Sequence, residues 1–160
     1  MKKKVVTIIG SIIIAITILS LIGGGVWLIF YGELHFYNSR KFKNDIKEEH
    51  ELIKSIEFWS NGNTVFCDFY ISPEISIDEV KNICKKTREY LMSEKVFESL
   101  VKVHKKRYGS DFFDIQIDLD TIKNDKKMDY RFYSRRKGGQ KVYDGFKTWY
   151  FEHNGKSEEL

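Results

Sequence analysis

Residues 64–91 read TVFCDFYISPEISIDEVKNICKKTREYL, and inside this stretch the apolar period changes from two to about 3.6. Val65, Cys67, Phe69 and Ile71 alternate with their neighbours, as a strand with one buried face requires. Ser76 followed three residues on by Glu79 is a capping box, and Ile75 with Val80 supplies the hydrophobic staple around it. The helix that starts there carries Ile77, Val80, Cys84, Thr87 and Leu91 on one stripe, at spacings of three and four. A strand feeding an amphipathic helix sets the fold class as mixed α and β.

Upstream, Ser55–Ser60 and Thr64–Ile71 flank Asn61-Gly62-Asn63, two β-rich runs joined by a Gly/Asn turn, which reads as a hairpin. Downstream, Ser93 is placed to cap a second helix, with Met92 and Phe97 as its staple. Lys102, Lys105, Lys106 and Arg107 suit its negative end, and Gly109 terminates it. Three strand-like runs follow: Phe113–Leu119, Met128–Tyr133 and Phe146–Phe151. Lys123–Lys127 and Gly138–Gly145 read as turns between them. In the first run Asp114 and Asp118 fall on the face expected to be wet. The predicted order is ββααβββ, an α+β domain in which a mostly antiparallel sheet of about five strands carries two helices on one face.

The N-terminal fifth differs in kind. Val5–Tyr31 is 27 positions without a charged residue, and about 20 suffice to cross a bilayer. Lys2, Lys3 and Lys4 abut one end, while Trp27, Phe30 and Tyr31 sit at the other, where amphipathic rings favour the interface. A cleaved signal has a shorter apolar region, and cutting near Gly23–Gly25 would leave Val26–Tyr31 exposed. The expected organisation is an anchor over 1–31 (a signal-anchor helix at about 5–31), a polar neck over 32–54, a domain over 55–152 and a polar, frayed tail over 153–160. The positive-inside count ties, Lys2–Lys4 against Arg40, Lys41 and Lys43, and the tie is broken by the lysines abutting the apolar run. That places the N-terminus in the cytoplasm and the domain outside a plasma membrane. The Ile-, Lys- and Asn-rich wording is typical of bacterial chains from AT-rich genomes.

The net charge of +4 is mostly topology: three of 27 basic residues are Lys2–Lys4, leaving 24 basic against 23 acidic groups beyond them. A near-neutral domain is not the footprint of a nucleic-acid binder. Cys67 and Cys84 both point to the interface between helix and sheet, which leaves one intramolecular disulfide open beside the alternative of two buried thiols. His35, His50, His104 and His153 have no metal-type spacing, and His104 reads as a solvated residue near a helix end. The acidic series from Asp111 to Asp125 fails the EF-hand pattern, since Ile122 and Lys123 stand where Asp or Asn and then Gly are required. Arg131, Arg135, Arg136, Lys137 and Lys141, interleaved with Phe132, Tyr133 and Tyr143, form a candidate patch for an anionic ligand. No catalytic residue, metal or cofactor is assigned. The expected role is a tethered binding or scaffold module whose partners are the bilayer and either another envelope protein or an anionic polymer. The alternative is an anchored enzyme with a site assembled from scattered residues.

Overall fold

The computed structural model describes residues 33–122, 129–135 and 146–160. The apolar run 5–31, the turns expected at 123–127 and 138–145, and Arg136, Lys137 and Lys141 lie outside them. In chain order the elements are α1 (Ser39–Glu49), β1 (Ile53–Ser60), β2 (Thr64–Ile71), α2 (Ile77–Leu91), α3 (Glu94–Tyr108), β3 (Asp114–Asp120), β4 (Tyr130–Ser134), β5 (Tyr150–His153) and β6 (Lys156–Glu159). The fold is α+β, with three helices and one six-stranded mixed sheet.

The strands lie side by side in chain order, antiparallel except for β2 and β3, which run parallel. The α2–α3 pair returns the chain between those two strands, as a parallel pairing requires. Alternation then sorts the side chains. Phe58, Val65, Cys67, Phe69, Ile71, Ile115, Ile117, Leu119, Phe132 and Phe151 share the inner face with Val80, Ile83, Cys84, Leu91, Phe97 and Leu100 from the helices. The stripe of α2 is rotated from the expected one: Ile77 is exposed and Ile83 is fully buried in its place.

Local chemistry accounts for the element ends. At the β1–β2 turn Asn61 Oδ1 accepts from the backbone N–H groups of Asn63 and Thr64, at 3.1 and 2.9 Å. Ser76 Oγ accepts from Glu79 N–H at 3.2 Å, but the Glu79 carboxylate turns away to His50 Nδ1, also at 3.2 Å, so only half the capping box is made. Ser93 does not cap α3; its hydroxyl donates to the Tyr90 carbonyl at 2.8 Å. Gly109 ends that helix at φ 75°.

Three boundaries differ from the sequence reading. The compact unit runs from Glu33 to Leu160, and the neck belongs to it: Leu34, Phe36 and Ile46 are core, and Leu34 N–H donates to the Phe58 carbonyl at 2.7 Å. The tail does not fray, because Asn154 and Gly155, at φ 52° and 71°, turn β5 into β6. The last predicted strand starts later, since Phe146 and Trp149 plug the core ahead of Tyr150, and the Trp149 indole donates to the Phe146 carbonyl.

Gly62 and Gly155 both have positive φ, at 93° and 71°. A Cβ at Gly62 would lie 3.3 Å from the Tyr108 ring, whose hydroxyl donates to the Ser60 carbonyl, whereas a Cβ at Gly155 meets nothing within 4 Å. Gly155→Ala should therefore cost only the left-handed backbone term, about 1–2 kcal/mol, and Gly62→Ala more. Urea denaturation of both variants checks this ordering, and equal losses would mean that the Tyr108 ring swings aside freely.

Candidate functional site

The face of the sheet opposite the helices is set by the other half of each alternation. Register places Glu57, Asp68, Asp118, Arg131 and Glu152 in one row across β1 to β5. The next row is Trp59, Phe66, Gln116, Tyr133 and Tyr150. Trp59 and Phe66 stack with centroids 4.0 Å apart and planes at 8°, and Tyr133 stacks on Tyr150 at 5.5 Å. An aromatic row thus runs beside a charged one, on a face that no described helix covers.

The parallel β2–β3 pairing brings Asp68 directly beside Asp118. Asp118 accepts from Gln116 Nε2 at 2.7 Å and from Arg131 Nε at 3.3 Å. Arg131 reaches on to Glu152 at 4.0 Å, so one guanidinium spans two carboxylates. Burial nevertheless outweighs these partners and raises the Asp118 carboxyl above its usual range. Asp68 is less well supplied. The Trp59 indole N–H donates to Oδ2, while Oδ1 is buried without a hydrogen-bond partner among the described residues. Burial first, and the nearby charges of Asp118, Asp120 and Glu57 in addition, push the Asp68 carboxyl up to about 7 against the Trp59 hydrogen bond. The two neighbouring carboxyls, Asp118 buried and Asp68 half-buried, thus each take their hydrogen bonds from other side chains, and loss of water favours the protonated form of both.

A polar pocket of about 250 Å³ opens at the start of β3, between Thr64, Asp114, Gln116, Tyr133, Ser134 and Arg135. It continues the aromatic row toward one end of the sheet.

The structure redistributes the residues singled out from sequence. Arg131 is committed to Asp118 and Glu152, and Arg135 is exposed with its guanidinium 5.5 Å from the Tyr133 ring. Asp118 is not solvated, its side chain being 1% exposed. Cys67 and Cys84 are buried free thiols, both pushed up by loss of water. His104 is fully buried, with Nδ1 2.8 Å from the Ser110 carbonyl, and burial lowers its pKa, which favours the neutral ring. Among the described residues no group of His, Cys, Asp and Glu is arranged to hold a metal ion. Asp68 was missed, although a signal exists: it is the one charged residue in TVFCDFYI, with Phe66 and Tyr70 on its own face. Comparison with family models, with curated proteins and with solved structures finds no match to the chain.

Replacing Asp68 with Asn keeps an oxygen for the Trp59 N–H and removes a charge that the fold resists. The raised pKa means that the folded state holds the Asp68 proton after the unfolded state has lost it. Native stability therefore falls as pH rises from about 4 to about 7. Asp68→Asn should be more stable than the native chain at pH 8, by at most about 4 kcal/mol, with the difference vanishing near pH 4. Thermal melts across pH check it, and a variant less stable than the native chain at pH 8 would contradict the burial of that carboxyl.

Proposed function

We propose that the chain is a single-pass, membrane-anchored binding module, held by residues 5–31 and displaying Glu33–Leu160 on the outer side of a plasma membrane. Another envelope protein is the partner that best fits the exposed chemistry. No helix among the described residues is long and apolar enough to cross a membrane. Support for the anchor is the uncharged run Val5–Tyr31 with Lys2–Lys4 before it.

The observation that carries the binding role is the outer face of the sheet. A six-stranded scaffold presents an aromatic row, Trp59 to Tyr150, against a charged row in which Asp68 Oδ1 has no hydrogen-bond partner among the described residues. Aromatic surface beside hydrogen-bonding groups on a fixed backbone is what recognition sites use. An anionic polymer suits this face less well, because Glu57, Asp68, Asp118 and Glu152 share its charged row with Arg131 alone.

One observation favours the enzyme alternative: Asp68 and Asp118 stand side by side with both carboxyls raised, as an acid–base pair does. An epoxide reagent that esterifies activated aspartates separates the two readings. A catalytic pair reacts much faster at Asp68 or Asp118 than at the exposed Asp78, and equal rates remove the enzyme reading.

For the binding module, the full chain should stay in the membrane pellet through carbonate washing. A photo-crosslinking residue at Tyr133 or Trp59 should yield a discrete adduct in intact cells, and one at the exposed Glu89 of α2 should not. Release by carbonate would contradict the anchor, and no adduct from either sheet position would contradict the recognition face.

A further inference from the structure

We propose that one end of the Glu33–Leu160 domain rests on an anionic bilayer surface, with Lys105, Lys106, Arg107 and Arg135 against the lipid phosphates and Phe112 dipped into the interface. This inference deepens the anchored-module reading and rests on it.

The end in question is defined by contacts. Asp114 N–H donates to the Asn63 carbonyl at 2.8 Å, which joins the start of β3 to the β1–β2 turn. Tyr108, at the end of α3, packs its ring over Gly62. Ser134 pairs with Ile115, so β4 also finishes at this end, with Arg135 just beyond. The chain enters the domain here as well: Arg107 donates to the Glu33 carbonyl at 3.3 Å, and Leu34 N–H bonds to Phe58, two residues from the end of β1.

Chain length then limits how far this end can stand from the lipid. The uncharged run closes at Tyr31, and Leu34 is fully buried, so Gly32 and Glu33 are all that intervene. Three residues of extended chain reach about 10 Å, which is also about one Debye length at physiological salt. Charges at this end therefore lie within a Debye length of the headgroups and respond to anionic lipid in the leaflet that faces the domain. Lys105 and Lys106 are exposed on the last turn of α3, with Arg107 beside them, and Arg135 is exposed at the end of β4. The carboxylates at the same end are Glu33, which pairs with Lys43, and Asp111 and Asp114. Phe112 is 47% exposed just past Gly109. An aromatic ring among lysines and arginines is the composition of an interfacial anchor.

The test uses the full chain in lipid nanodiscs of phosphatidylcholine, with or without phosphatidylglycerol. An environment-sensitive fluorophore is attached at Phe112→Cys or, as the distal control, at Glu74→Cys; the buried Cys67 and Cys84 stay unlabelled in the native fold. Nitroxide-bearing lipids should quench the probe at 112 about twofold or more beyond the probe at 74 in anionic discs. The difference should shrink in neutral discs, in high salt and in the Lys105→Glu/Lys106→Glu variant, whose circular dichroism stays native because both side chains are exposed. Equal quenching at the two positions in anionic discs, or quenching at 112 indifferent to the charge reversal, would overturn the proposal while leaving the anchor standing. A chain that never enters the discs contradicts the anchor itself, and the docking with it.

Discussion

The parallel pairing of β2 with β3 is the constraint on which the rest of the molecule depends. Both strands need an apolar face, Val65 to Ile71 on one and Ile115 to Leu119 on the other, and parallel register puts those faces together. Adjacent parallel strands cannot be joined by a tight turn, so the chain between them must cross the sheet. The α2–α3 pair does so on the side where Val80, Ile83, Leu91, Phe97 and Leu100 can be buried. The same register that aligns Cys67 with Ile117 aligns Asp68 with Asp118 on the other side. Core and candidate site are two faces of one pairing.

That coupling gives the outer face its chemistry. Two carboxyls on neighbouring strands would ordinarily splay into water. Here Arg131 and Gln116 secure Asp118, while among the described residues Asp68 has one side-chain donor, Trp59. An unpaired buried oxygen costs stability, and Asp68 Oδ1 has no partner among the described residues. The helices pack on the other face, and the neck joins the core through Leu34 and Phe36. What they support is a surface more than a cleft.

Local signals were legible in the sequence and long-range ones were not. The β1–β2 hairpin and the start of α2 depend on residues a few positions apart, Asn61-Gly62-Asn63 and Ser76 with Val80, and both were found where expected. The Asn154-Gly155 turn is equally local, but β6 reads KSEE, with no alternation to mark a strand. The burial of His104 depends on Phe113 and on the Ser110 carbonyl, and the burial of Asp118 on Arg131 from another strand, so no periodicity along one segment reveals either. Of the basic patch, only Arg131 and Arg135 lie among the described residues. Arg131 alternates onto the outer face and is consumed by carboxylates whose register the sequence does not display.

The most direct measurement is a carbon-detected NMR titration of the side-chain carboxyl of Asp68 in the native chain, assigned by difference from Asp68→Asn. A buried carboxyl with one donor, beside a second carboxyl, should titrate near pH 7. A midpoint near 4, the ordinary range for aspartate, would mean that water or an unseen donor reaches Oδ1, and the outer face would lose the feature that marks it as a site.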